Sequence, residues 1–372
     1  MSESPSAPVA AGVVADGPAR RAAQAMARQP LVRHIALAII AGAALYFLTN
    51  ALSAYNDYLV GEIALYFIAL CGLSLLTGLS GQISLGHGGF MAVGAYTLAL
   101  LMTHTQINFV LELVCAIGAT ALLGLAVGVT ATRLKGPYLA GMTLLMALAL
   151  PPIADKWSSV FGGDQGLSTT VPTAPGSINP EEWLTWIQLL GALITVLLLA
   201  NLVRSRFGRS FRAVRDNEVA AALSGVHVAR TKVIAFSVSA GCAGLAGAFL
   251  ALSTGVVNTG EFPLTLSIQL LAAMVLAGTG SLIGMVWGAI VLVYVPQWST
   301  SLSSHFNLGA GANAYLATII FGAVLIVVVI AAPAGIQGGF RWTWRQVSRP
   351  LARRFARAAS PPQPFEHLST RS

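Results

Sequence analysis

Residues 78–90 read Gly78-Leu79-Ser80-Gly81-Gln82-Ile83-Ser84-Leu85-Gly86-His87-Gly88-Gly89-Phe90. Five glycines and four polar side chains fall within these thirteen residues, between apolar stretches on either side. A continuous lipid-facing helix does not tolerate that density, because a backbone group left unpaired in hydrocarbon costs several kcal/mol. Irregular backbone survives at membrane depth only where protein buries it or a wet cavity lines it. Broken helices of this kind are a common way to build transport sites. The competing reading is an ordinary polar turn at the membrane surface, and local chemistry does not choose between the two. His87 alone reads more readily as a hydrogen-bonded structural residue than as a ligand.

The surrounding composition demands lipid. Of 372 residues, 56% are hydrophobic and 9% charged, with a mean hydropathy of +0.75. Soluble domains carry about 25% charged residues, and one aqueous core cannot hide so large an apolar excess. A spanning helix needs about 20 apolar residues. Such stretches lie at roughly 35–53, 59–79, 88–103, 109–131, 138–154, 184–203, 232–255, 264–279, 281–298 and 313–332. The expected fold is an all-α integral membrane protein with about 8–10 transmembrane helices, broken near 78–90.

Charge placement orients it. All Lys and Arg except Lys156 fall in the N-terminal tail, the 132–137 loop, the 204–232 loop and the C-terminal tail. With ten spans these four regions share one side, and Lys and Arg collect on the cytoplasmic side. Both termini are therefore expected in the cytoplasm. Asp57, Asp155, Asp164, Glu181, Glu182 and Glu261 fall on the opposite side. The net charge of +8 does not indicate nucleic acid, since no polar domain carries a basic patch.

Residues 1–33, rich in Ala, Pro and Ser, read as a disordered cytoplasmic tail, and 336–372 as a basic cytoplasmic tail. Between them, 34–335 forms one membrane domain. Ile35 to Leu48 follows basic residues in the manner of a secretory signal, but the preceding polar region is too long, so the segment is expected to stay. The connection at about 155–183, with Pro172, Pro175 and Pro180, is expected to form a lid-like loop. Glycines at 280, 284 and 288, at 124 and 128, and at 241, 244 and 247 have the spacing of close-packed helix faces.

Several chemistries lack their residues. Cys71, Cys115 and Cys242 sit in apolar stretches without a C-x-x-C spacing, and His34, His104 and His227 are scattered, so no metal site is implied. There is no G-x-x-x-x-G-K-[ST] phosphate loop, and no Ser/His/Asp set or paired carboxylates suggest an enzyme. Only Glu62 and Glu112 are acidic near spans, which argues against an ion-coupled carrier. Energy for transport would come from a partner.

The run GLSGQISLGHGGFMAVGAYTLALL at 78–101 resembles the signature of the branched-chain amino acid permease family of ATP-binding-cassette (ABC) importers. The resemblance continues through RLKGPYLAGMTLL at 133–145, FGGDQGLS at 161–168, residues 205–251, and VLAGTGSLIGMVWGAI at 275–290. It implies a permease subunit in a bacterial inner membrane, working with a second homologous permease, two ABC ATPase subunits and a periplasmic solute-binding protein. ATP would be used by the partners, with no cofactor in this chain and membrane lipid around it. Gly81, Gln82, Ser84, Gly86 and His87 become the expected substrate pathway. In the coupling loop 204–231, Glu218, Ala220, Ala221 and Gly225 match the family's Glu-x-Ala-Ala-x-x-x-Gly segment, which docks on the ATPase as a short helix opening near Asp216 and Asn217. The basic residues around it could serve orientation alone. The family also imports urea, short amides and aromatic acids, and a secondary carrier or a membrane scaffold are the readings outside it.

Orientation is directly testable. Thr173→Cys and Ser210→Cys variants, probed on intact cells with an impermeant thiol reagent, should label at position 173 alone. Labelling at 210 from outside would reverse the charge-based topology.

Overall fold

The computed structural model describes residues 54–305 apart from 106, 135, 177 and 178, together with 316, 319–320, 322–323 and 326–327. Helix α1 (Ala54–Leu73) runs directly into a six-residue π-helix, Ser74–Leu79. Helices α2 (His87–His104), α3 (Phe109–Ala131), α4 (Pro137–Lys156) and α5 (Pro180–Arg204) follow. Two short helices come next, α6 (Arg206–Asp216) and α7 (Glu218–Leu223). Then come α8 (Val228–Thr254), α9 (Leu264–Ala277) and α10 (Met285–His305). The only strands among the described residues are two-residue segments, β1 (Leu167–Ser168) and β2 (Val256–Val257), paired antiparallel.

Six helical segments are long and apolar enough to cross a membrane: 55–79, α3, α4, α5, α8 and 259–277. Met285–Trp298 is a shorter apolar helix, and α2 has 18 residues with two histidines and three glycines. The protein is thus an all-α, multi-pass membrane protein. The apolar stretches between 59 and 298 coincide with α1–α5 and α8–α10. The stretch at 35–53 and both tails lie outside the described residues, and 313–332 is described at scattered positions only.

Local chemistry sets the ends. Asn108 accepts the Val110 N–H to cap α3, Pro137 opens α4 at the position where a missing N–H costs nothing, and α8 stops at Gly255 with φ +73. Because lipid supplies no hydrophobic drive between helices, close approach over small residues holds them together. Helix α8 is the hub. Gly124 and Gly128 of α3 lie against Phe236, Val233 and Ala240. A Cβ on Gly94 would strike the Gly244 backbone, one on Gly244 would strike Thr120, and one on Gly247 would strike Met91 O. These two glycine sets therefore serve packing within the chain.

The glycines at 280, 284 and 288 do not form the helix face that their spacing suggests. Gly280 and Gly284 precede α10, in the turn after α9, and Gly280 has φ +81. Only Gly288 is helical, where it fits against Ala273 O and Leu70. Away from the hub, Leu122, Leu145, Leu190 and Leu198 are exposed on α3, α4 and α5, as lipid-facing positions should be. The 157–179 connection is pinned to the end of α8 through β1–β2 and through Thr169, whose N–H donates to Gly255 O and hydroxyl to Ala251 O.

Gly247→Val should lower the melting temperature of the detergent-solubilised protein by several degrees, since overpacking a tight contact costs about 1–3 kcal/mol. Gly118→Val, where a Cβ would meet nothing within 4 Å, should be silent. Equal thermal stability of the two variants would contradict the assigned α2–α8 contact.

Candidate functional site

The break begins where α1 widens into the π-helix. Ser80 N–H bonds to Leu75 O and Gln82 N–H to Leu76 O, both at 3.1 Å. Such turns are rare and tend to mark functional sites. Gly81 reverses the chain at φ +74, and the segment returns into the bundle. His87 Nε2 lies 3.0 Å from Ala69 O. Ala69 is ten residues before the π-helix end, about 15 Å along a helix axis. Helix α2 therefore starts inside the membrane domain.

A helix start leaves its first N–H groups without intrahelical partners. Hydroxyl oxygens take up one of them here, together with the N–H groups of the cap residue and of the residue before it. Leu85 N–H donates to Thr143 Oγ1 at 3.0 Å, Gly86 N–H to Ser84 Oγ at 3.4 Å and Gly88 N–H to Ser267 Oγ at 2.9 Å. Backbone contact also forbids a side chain at Gly86, because a Cβ there would strike Thr143 O. Gln82, Ser84, Gly86 and His87 are buried, and Gly81 is exposed. Gln82 Nε2 donates to Ser80 Oγ at 2.6 Å. His87 Nε2 carries the ring hydrogen, since the carbonyl of Ala69 only accepts, and Nδ1 has no partner among the described residues. The surface-turn reading fails on this burial. The segment is broken helix packed against α1, α4 and α9.

The 204–231 loop folds into the α6–α7 pair. Ser205 caps α6 by accepting Phe207 N–H. Asp216 is the last residue of α6, and Asn217 caps α7 by accepting Val219 and Ala220 N–H at 2.9 and 3.0 Å. The far end of α7 closes with Gly225 N–H on Ala222 O and Val226 N–H on Ala221 O, both 3.0 Å. Gly225 has φ +83, so this double closure needs glycine. Glu218 pairs with buried Lys232 of α8 at 2.6 Å. Ala221 is buried against the chain's own interior, whereas Val219, Ala220, Ala222 and Leu223 are exposed. The outward apolar edge of α7 is therefore Val219 and Leu223, one turn apart, and not the Ala221 methyl.

The two constellations meet. Arg215 Nη1 donates to Gly78 O at 2.8 Å. Beyond them, a cleft of about 260 Å³ opens between α2 and α4, walled by Ala92, Tyr96, Leu100, Leu150, Ile153 and Phe161 among others. Among the described residues no three His, Cys, Asp or Glu could hold a metal ion.

The family described as "Branched-chain amino acid transport system / permease component" matches residues 55–329. The chain belongs to that family. It is 30% identical over 297 residues to the high-affinity branched-chain amino acid transport system permease protein LivM of Salmonella typhimurium, covering 73% of this chain and 67% of that one. LivH of Escherichia coli strain K12, named in the same terms, is 25% identical over 319 residues, covering 79% of this chain and 96% of LivH. The solved structure of PsaBC from Streptococcus pneumoniae in complex with Fab shares 16% identity, with a TM-score of 0.43, over 78% of this chain and 96% of that one.

A chain of this permease family is a transport subunit, and its break and its α6–α7 pair are the regions the sequence marked. Thr143, Ser267, Lys232 and Arg215 were not marked. Single hydroxyls on apolar helices carry no local signal, and Arg215 is one arginine in a basic loop.

Gly86→Leu should cut uptake by about tenfold or more, the effect of a 1–3 kcal/mol clash on the working conformation, while the variant still inserts. Normal uptake by an inserted Gly86→Leu permease would show that the α2 start need not approach α4.

Proposed function

We propose that the chain is one of two homologous permease subunits of an ATP-driven importer for branched-chain amino acids in a bacterial inner membrane. Two ABC ATPase subunits would supply the energy, and a periplasmic solute-binding protein would deliver the solute. The observation that carries this reading is an exposed apolar pair, Val219 and Leu223, on a short capped helix in a permease of this family. The pair lies within the most basic connection of the chain, between Arg204 and Lys232.

In this reading the ATPase seats α7. The Asn217 cap and the Gly225 closure keep that helix whole under load, and the Glu218–Lys232 ion pair joins it to α8. Closure of the ATPase pair then moves α7 and the spans behind it, so that the path between the permeases alternates between sides. The names of the relatives support branched-chain amino acids as the solute.

The test is ATP-dependent leucine uptake by proteoliposomes holding both permeases and the ATPases, with the binding protein added. Leu223→Glu should reduce ATPase copurification by tenfold or more, since an unpaired charge in an apolar contact costs more than the roughly 1.4 kcal/mol of a tenfold change. Uptake indifferent to ATP would favour an ion-coupled carrier. Unchanged copurification of Leu223→Glu would move the docking surface off α7.

A further inference from the structure

Arg215 closes a contact between segments 137 residues apart in sequence. Its Nη1 donates to Gly78 O at 2.8 Å, and its Nε and Nη2 lie 3.2 Å from Asp216 Oδ1. Gly78 stands in the last turn of the π-helix, where carbonyls have no intrahelical donor. A cation at a helix C-terminus satisfies such a carbonyl and also complements the negative end of the helix dipole. The guanidinium of α6 thus caps the helix of α1.

The fit on either side leaves no slack. A Cβ on Gly81 would lie 2.7 Å from Arg215 Cγ, so the reversing residue of the break rests on the arginine stem. On the opposite side, a Cβ on Gly78 would lie 2.5 Å from Gly280 N, in the turn that leads to α10. The end of α1 is therefore wedged between α6 and the α9–α10 turn. A shift of α6 toward the bundle therefore presses on residues 78–81. From there the chain continues through Leu85 and Gly86, held by Thr143 of α4 and by Ser84, to the start of α2.

Resting on the importer reading above, we propose that Arg215 is a positioning residue for transport, fastening α6 to the broken end of α1. Displacement of the α6–α7 pair by the ATPase then resets residues 78–86 and the buried start of α2. This route is separate from the Glu218–Lys232 pair, which leads to α8. Arg215 couples hydrolysis to translocation and does not hold the ATPase.

The experiment compares the reconstituted complex with Arg215, Arg215→Gln and Arg215→Lys, using Arg209→Gln as the control, an exposed arginine of the same helix. Solute taken up per ATP hydrolysed is the readout that a merely structural role would not move. Arg215→Gln should keep ATPase copurification and hydrolysis while uptake per ATP falls about tenfold, which corresponds to about 1.4 kcal/mol. Arg215→Lys, still able to donate to one carbonyl, should recover much of that ratio, and Arg209→Gln should match the parent. A ratio within about twofold of the parent in Arg215→Gln, or a Lys variant no better than the Gln variant, overturns the proposal.

A second measurement covers the case in which Arg215→Gln does not assemble. Ile83, exposed within the break, is replaced by Cys with Arg215 intact, and thiol labelling is followed against the same complex lacking that cysteine. The rate should change severalfold between nucleotide-free and ATP-trapped complexes. An unchanged rate overturns the proposal, whereas ATP-indifferent uptake with Arg215 intact would instead remove the importer reading beneath it.

Discussion

Hydrocarbon offers no hydrogen bonds, so every backbone group of the membrane domain must find its partner within the protein. Most of the chain obeys by being helix. One exception is the stretch between Leu79 and His87, where seven residues leave the helical ladder and α2 begins at the depth of Ala69. Hydroxyls of Ser84, Thr143 and Ser267 take up the exposed donors, and Arg215 takes up a carbonyl at the other end. Three further elements are thus tied to one interruption. The break is less a gap in α1 and α2 than the point on which α4, α6 and α9 converge.

The same solvent explains the use of glycine. Dispersion forces between helices grow as backbones approach, and only small residues permit the approach. The hub around α8 takes it to the limit, with Gly94 facing Gly244 and Gly247 facing Met91. The exposed leucines of α3, α4 and α5 belong to the opposite regime, in which a large side chain only has to match lipid. One chain therefore divides into a close-packed centre of α1, α2 and α8 and a looser rim.

Much of this was legible from residue order alone. Apolar length gave the spans, and glycine density between 78 and 90 gave the break, because both follow from the solvent. Glycine spacing was less dependable. The interval from Gly280 to Gly288 suits a helix face, yet Gly278 and Gly280 take φ +106 and +81 and the helix starts only at Met285. The Glu-Ala-Ala segment located α7 but not its orientation: which alanine faces outward is decided by the Glu218–Lys232 pair and the packing of α8, neither of which is local. Arg215 was hidden for the same reason, since the carbonyl it caps is far away in the chain. Family membership located the transport role that geometry alone would have left open.

Helix α4 carries Pro151 and Pro152 in succession. Neither has an N–H to give, so the carbonyls of Ala147 and Leu148 lose the donors they would meet in an unbroken ladder. Ala147 is also the residue that Gly89 packs against, and Leu150 and Ile153 wall the cleft beside α2. Bending α4 at this turn sacrifices fewer hydrogen bonds than elsewhere, because two of the rungs that would cross it are missing. The segment facing the cleft is therefore more compliant than an unbroken helix would be, and the part of α4 beyond the prolines can bend on them while Thr143 stays fastened to the start of α2.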